Sequence, residues 1–404
     1  MIAKIAFRNT LRQKRRTALT LLTIFGGFTL AAVSFGWSDG TYSYIIQMFT
    51  QHRLGQIQVH RKGYLDKPSI YDRIRDYQQA GHSIQGTEGV QAWAPRVFCA
   101  GLASRGDKTA GIQLIGIDTN LEQRATGFNK NVIQGAPLSG GPARQALLGK
   151  GLANILQAGI GDEIVLLSQA ADGSIANDIF KATGIVDTGD EATDRLGLYL
   201  NLTDAQQFMA IDGEVHEIAV TVSDIKKVGE IAGRIEARLN NPGLEVQPWT
   251  EFAKPFYDAM RADQKGMWIM LFVIVLIVAV GVLNTVLMSV LERRREYGLL
   301  KALGTRPAEI VKLVMTELFL ITAGGIVLGT CVSLAVNWFL SFRGIPIPVE
   351  ITFGGASFSR MYTEVNARSF YIPAITVVVS AILVGLAPAV KAARTEPVNA
   401  MRKF

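Results

Sequence analysis

Four stretches without a single charged side chain, residues 17–37, 267–291, 318–340 and 371–390, constrain this chain more than any other feature. A hydrocarbon core of about 30 Å takes about 20 apolar residues to cross as a helix, and each stretch meets that length. The third is interrupted by Gly324, Gly325, Gly329 and Asn337 but is also uncharged, so it counts as a span. Between the first and second spans lies one large segment, 38–266, and between the third and fourth a short loop, 341–370. The expected fold is therefore an α-helical membrane protein with four transmembrane helices and a large mixed α/β domain inserted after the first.

The net charge of +7 is unevenly placed. Segments 1–16, 292–317 and 391–404 together carry +11, and the remainder, chiefly 38–266, carries −4. Excess Lys and Arg in short segments beside spans is the positive-inside pattern, which predicts cytoplasmic termini and a large domain on the far side. The same distribution argues against nucleic-acid binding, because the large segment has no basic stripe interleaved with aromatics. The first apolar run exceeds the 7 to 15 residues of a signal-peptide core and lacks an A-x-A end, so a retained anchor is expected.

Cys99 falls in the large segment and Cys331 in a span, so no intrachain disulfide is expected. His52, His60, His82 and His216 have no metal-ligand spacing and read as ordinary surface or core residues.

Runs 111–117, 163–167, 180–186 and 217–222 read as strands, bounded by Gly, Asp and Asn turns. Segments 145–157, 203–209 and 225–239 read as helices, with Thr203 and Asp224 as N-caps. The apolar spacing of Tyr44, Ile45 and Met48, and of Trp249, Phe252, Phe256 and Met260, predicts helical stalks prolonging the first two spans outward.

The most informative stretch is the connection between the second and third spans, which runs from Glu292 to Gly304. Three consecutive arginines, Arg293, Arg294 and Arg295, pin the end of span two, since each costs about 2.5–3.5 kcal/mol at mid-bilayer. A short amphipathic helix follows, with Leu299, Leu300 and Leu303 assigned to one face and Arg294, Arg295 and Lys301 free to reach headgroups or a partner. Gly304 supplies a stop, and Thr305 with Pro307 the next start.

This stretch resembles the coupling-helix signature of MacB/FtsX-like ABC transporter permeases, E-R-x-R-E-I-G-L-L-R-A-L-G. Glu292, Arg293, Arg295, Glu296, Gly298, Leu299, Leu300, Lys301, Ala302, Leu303 and Gly304 occupy its places, with Tyr297 at the aliphatic position and Lys301 for arginine. The tail 393–402, A-R-T-E-P-V-N-A-M-R, is similar to the family's A-R-x-x-P-V-E-A-L-R. Segments 148–167 and 184–202 resemble the family's extracytoplasmic core, and 54–64 and 94–117 look most like the lipoprotein-releasing LolC/LolE-type branch.

The resemblance implies a bacterial inner-membrane permease with a MacB-like periplasmic core, paired with a second permease, identical or homologous, above two copies of a separate ABC ATPase. It assigns the eleven signature residues to ATPase coupling. ATP and magnesium belong to that partner, because the chain has neither a G-x-x-x-x-G-K-[ST] loop nor a G-x-S-x-G elbow; Lys150 is followed by Gly151, and Ser357 stands two residues before Ser359. No catalytic residue, cofactor or metal is expected on this chain. The uncharged spans argue against a secondary transporter, whose pathways need buried ionisable groups. Asn284 and Ser289 read as interhelical hydrogen bonders, and Gly324, Gly325 and Gly329 as sites of close packing. Three functions stay open: extraction of lipoproteins or another amphiphile for a periplasmic acceptor; efflux through a MacB-like tripartite pump with an adaptor; and FtsX-like regulation of a periplasmic hydrolase, disfavoured by the size of segment 38–266.

Overall fold

The computed structural model describes residues 2–12, 14–50, 54–353 and 356–395, so most of the tail motif at 393–402 lies outside the described residues. The chain divides into two compact units: Met1–Ser43, Arg261–Pro346 and Arg360–Phe404 form one, Tyr44–Met260 and Ile347–Ser359 the other.

The first unit is helical. After a short N-terminal helix, Ile2–Arg12, come four helices long and apolar enough to cross a membrane: Lys14–Phe49, Lys254–Glu292, Pro307–Arg343 and Arg368–Ala393. They run beyond the apolar stretches, and the first contains the whole predicted stalk 42–49. The second stalk is broken: Trp249–Phe252 is a separate turn of helix, with Ala253 between it and the long helix. Pro255 accounts for the break, since it has no N–H to donate to the preceding turn. The loop 341–370 also holds structure that the sequence reading missed, a two-stranded hairpin of Ile345–Phe353 with Ala356–Met361.

Lipid tails are as apolar as leucine, so packing rather than hydrophobicity must hold such helices together. The first and third spans do this through positions four residues apart. Buried Ile24, Phe28 and Ala32, then Gly36, face Gly325, Gly329, Ser333 and Asn337. A Cβ on Gly329 would stand 2.6 Å from the Phe28 ring, and one on Gly325 2.8 Å from Ile24. Gly324, expected to do the same, sits in ordinary contact with Leu21 at 3.7 Å. Asn337 donates to the Ala32 carbonyl at 3.3 Å and leaves no room for a side chain on Gly36. It takes the interhelical role assigned to Asn284, which is exposed.

The second unit is built on a ten-stranded sheet. Its strands are β1 (Ile57–Arg61), β2 (Val90–Arg105), β3 (Lys108–Ile117), β4 (Val132–Gly135), β5 (Gln145–Gly149), β6 (Glu163–Gln169), β7 (Ile175–Val186), β8 (Gly197–Asn201), β9 (Glu217–Val222) and β10 (Leu244–Pro248). The long β2 serves two substructures. Its first half extends an antiparallel sheet, β10-β1-β9-β2, covered by helices Tyr77–Gln85 and Val228–Leu239. Its second half belongs to a ring that closes on itself through β2, β3, β8, β5, β7 and β6. Side chains alternate across that ring as strand geometry requires. Cys99, Ala103, Ile112, Leu114, Ile164, Leu166 and Phe180 are buried, while Leu102, Val165, Leu167 and Ile179 are exposed.

The helix expected over 145–157 begins late, because 145–149 is strand β5 and only Lys150–Leu156 is helical. β5 lies between β7 and β8, and two-sided pairing overrides the local helical pattern. Asn201, not Thr203, caps the helix Leu202–Met209, by accepting from the Thr203 N–H. Asp224 caps the turn preceding Val228–Leu239 as expected.

Candidate coupling site

The second span does not stop at Glu292 but bends there. Arg293 stands at the joint, with backbone φ −92° and ψ 13°, and a short elbow helix, Arg294–Ala302, leaves from it. The Arg293 side chain is almost fully buried. Its Nε donates to Glu296 at 2.8 Å, and its Nη1 donates to both carboxylate oxygens of Glu317, each at 2.9 Å. Its guanidinium also lies 5.3 Å from the centre of the Tyr297 ring, within cation–π range. One turn into the elbow, Tyr297 is only 1% exposed. Burial pushes its phenol up to about 12, so it stays protonated at any working pH.

Glu317 is shared. Asn9 of the N-terminal helix donates to the same carboxylate at 2.6 Å. Nearby, Arg16 holds Glu292 at 3.0 Å. A more exposed pair, Arg12 with Glu296 at 4.0 Å, adds little in water.

The far end of the elbow is closed by backbone geometry. Gly304 has φ +93°, the Gly304 N–H donates to the Lys301 carbonyl at 3.0 Å, and the Thr305 N–H donates to Leu300 at 3.1 Å. This is a Schellman stop, which favours glycine because other residues resist that φ. Thr305 is used up in it, so Arg306 becomes the cap of the third span. Pro307 follows at the first helical position, and Glu309 accepts the Arg306 N–H at 2.9 Å.

The elbow has two unlike faces. Arg293, Tyr297 and Gly298 are buried, and Leu300 packs against the core that includes Val290, Ile310 and Val314. Lys301 turns inward too, with Nζ donating to the Ala393 and Thr395 carbonyls at 3.0 and 2.9 Å, where it caps the end of the fourth span. On the other side Arg294, Arg295 and Ala302 are exposed, Leu299 is 54% exposed and Leu303 76%. Two expectations are thereby corrected. The three leucines do not share a face, because Leu300 follows Tyr297 at a spacing of three, on the inner side. Lys301 does not join the two arginines, because the carbonyls ending the fourth span lie within its reach.

Of the eleven signature residues, Glu292 ends the preceding helix, paired with Arg16; Arg293, Gly298, Leu300, Lys301 and Gly304 build the elbow, and Leu299, Ala302, Leu303 and Arg295 present its outer stripe. Glu296 bridges the two by bonding Arg293 while half exposed. Sequence reading missed Glu317 and Asn9. The available signal was an acid standing immediately before the third apolar stretch, at the same end as the arginines closing the second.

In the α/β domain, ionisable groups are buried in a network rather than gathered around a cavity. Arg96 donates to both oxygens of Glu122, at 3.1 and 2.6 Å, and to Glu217 at 3.0 Å. His60 Nε2 meets the other Glu217 oxygen at 3.1 Å, and Thr126 donates to Glu122 at 2.8 Å. Tyr64 stacks between His60 and His216. Burial alone would raise the Glu217 carboxyl, but the His60 hydrogen bond and the Arg96 charge more than offset it and hold it below the ordinary carboxylate range. His216 accepts the Phe98 N–H on Nδ1, and its other nitrogen faces the Ile70 carbonyl. Burial keeps its affinity for a second proton below the usual imidazole value. Both histidines are core residues, and among the described residues no cluster of His, Cys, Asp and Glu is placed to hold a metal.

Comparison with known proteins adds two family models. Residues 17–238 match a MacB-like periplasmic core domain, and residues 268–397 match an FtsX-like permease C-terminal region. The lipoprotein-releasing system transmembrane protein LolC of Neisseria meningitidis is 22% identical over 97% of this chain and 97% of that one. The macrolide export ATP-binding/permease protein MacB of Marinobacter nauticus is 24% identical over 98% of this chain and 60% of its own length. Among solved structures, the periplasmic region of MacB from Actinobacillus actinomycetemcomitans covers 50% of this chain and 94% of that one, at 14% identity and a TM-score of 0.38.

Proposed function

The chain belongs to the MacB/FtsX-like family of ABC transporter permeases, and from that premise we propose that it converts ATP hydrolysis by a separate subunit into movement of its periplasmic domain, most directly to release lipoproteins or another amphiphile from the inner membrane. It is a multi-pass membrane protein with a periplasmic domain and a transport subunit, not an enzyme. In the proposed arrangement both termini and the elbow are cytoplasmic, two permeases pair, identical or homologous, and two ATPase subunits dock beneath them. ATP and magnesium stay with those subunits.

The two-faced elbow carries the proposal. Leu299 and Leu303 are exposed at the end of a span, beyond the apolar stretch, while the opposite face is tied to the third and fourth spans by Arg293–Glu317 and Lys301–Ala393. An apolar stripe flanked by Arg294 and Arg295 suits a groove on a soluble partner, and the buried ties suit transmission of the load to the spans. Release of lipoproteins is supported by the near full-length similarity to LolC. Efflux is the second reading, supported by similarity to MacB over nearly all of this chain.

Affinity purification in mild detergent, with identification of the chains that co-purify, tests both levels. An ABC ATPase is expected with the wild-type chain and is expected to be lost from a Leu299→Asp/Leu303→Asp double variant, whose changed side chains are exposed and leave the core intact. Undiminished ATPase on that variant would sink the docking role. A lipoprotein acceptor among the co-purifying chains supports release, and a fibre-like adaptor supports efflux.

A further inference from the structure

The N-terminal helix Ile2–Arg12 lies outside both matched regions, yet it contributes a side chain to the joint of the elbow. Its Ala6 is fully buried in the cluster that holds Tyr297, Val290, Ile310 and Val314. One turn later, Asn9 donates to Glu317 at 2.6 Å, and Glu317 in turn holds Arg293. The helix is thus fixed by an apolar contact and a polar one, both against the elements that set the position of the elbow. Beside the polar contact is a cavity of about 40 Å³, whose lining includes Asn9, Thr10, Thr17, Ser289, Arg293 and Glu317. Val286, Val314, Leu318 and Ile321 line it as well, and a gap of that size with several polar partners has room for water.

We propose that the N-terminal helix is a working part of the coupling apparatus, and that Asn9 and Glu317 are positioning residues which, through Arg293, set the angle at which the elbow leaves the second span. This rests on the reading of the elbow as the ATPase docking site. Asn9 is the informative member. It adds a neutral hydrogen bond to a carboxylate whose charge Arg293 already balances, so its loss alters geometry without leaving a buried charge unpaired.

The test uses the permease purified with its ATPase and reconstituted in nanodiscs, with the rate of ATP hydrolysis measured against ATP concentration. Asn9→Leu removes the bond to Glu317 at nearly constant volume, and Asn9→Gln keeps an amide donor. The kcat of Asn9→Leu is expected to fall about tenfold, the loss of one hydrogen bond to a charged group. KM for ATP should stay unchanged, because the nucleotide site is on the partner. Asn9→Gln should recover at least half of the wild-type kcat, and Asn9→Ala serves if Asn9→Leu fails to accumulate. Wild-type kcat in Asn9→Leu or Asn9→Ala, an Asn9→Gln no better than Asn9→Leu, or a loss confined to KM overturns the proposal. So does loss of the bound ATPase, which would make Asn9 a docking residue. Failure of the docking reading is separate, since it shows as ATPase retained on the Leu299→Asp/Leu303→Asp chain.

Discussion

Replacing Arg96 with methionine should loosen the periplasmic domain more than any exposed substitution could. The guanidinium makes three charge-assisted hydrogen bonds at 2.6 to 3.1 Å to two carboxylates, and Arg96, Glu122 and Glu217 are 5%, 2% and 5% exposed. Methionine fills much of the same volume, so the main loss is electrostatic. Among the described residues, Glu122 then keeps the Thr126 hydroxyl and Glu217 keeps His60. Breaking a buried ion pair from one side costs about 3–5 kcal/mol, because a charge is left in a medium that solvates it poorly. At 1.4 kcal/mol per factor of ten, that cost corresponds to about two to three and a half orders of magnitude in an opening equilibrium. Hydrogen exchange on the full chain in nanodiscs reads it directly, in the amides of β2 and β9 that carry Arg96 and Glu217. Removing all three charges together, as Arg96→Met/Glu122→Leu/Glu217→Met, should restore most of the protection, since an apolar replacement of a whole buried network is often neutral. Acceleration of less than about tenfold in Arg96→Met, or a triple variant worse than the single one, would refute the claim that unpaired charge is the cost.

Two further outcomes follow from the same structure. Gly329→Leu should lower the unfolding midpoint in detergent by the equivalent of about 1–3 kcal/mol, because its Cβ would start 2.6 Å from Phe28. Gly26→Leu, with nothing within 4 Å of its Cβ, should leave the midpoint unchanged, and equal midpoints for the two variants would contradict the packing seam. The domain should also lose stability below about pH 6.5, the ordinary histidine value. Burial holds His216 neutral in the fold, so the unfolded chain takes up the proton first and acidification favours it. Glu217, held low, adds a second loss only below its ordinary value of 4.5. Unfolding midpoints measured from pH 7.5 to 5.5 should fall in wild type and flatten in His216→Gln; an unchanged slope in the variant would assign the effect to another group.

The spans were legible because membrane insertion is a bulk property, set by length and the absence of charge. The strands at 111–117, 163–167, 180–186 and 217–222 were legible because alternation and turn residues are local. What was missed depends on distant partners. Residues 145–149 follow a helical pattern, yet they are strand β5 because β7 and β8 flank them. Gly36 looks like any glycine in an apolar run until Asn337 occupies the space where its side chain would be. Arg96, Glu122 and Glu217 are scattered charges in the sequence, and the fold makes them one network.

The elbow shows why a motif can identify a site and still misassign its residues. Periodicity alone placed Leu299, Leu300 and Leu303 together, because each is three or four residues from another. A helix of nine residues is short enough for two apolar stripes to fit the same letters, and the choice falls to what the neighbouring spans supply. Glu317 draws Arg293 inward, Tyr297 follows on the same face one turn later, and Leu300 comes with it. The carbonyls ending the fourth span draw Lys301. Leu299 and Leu303 are left exposed as a consequence. A single buried ion pair, recruited from the following span, thus decides which leucines remain available to a partner.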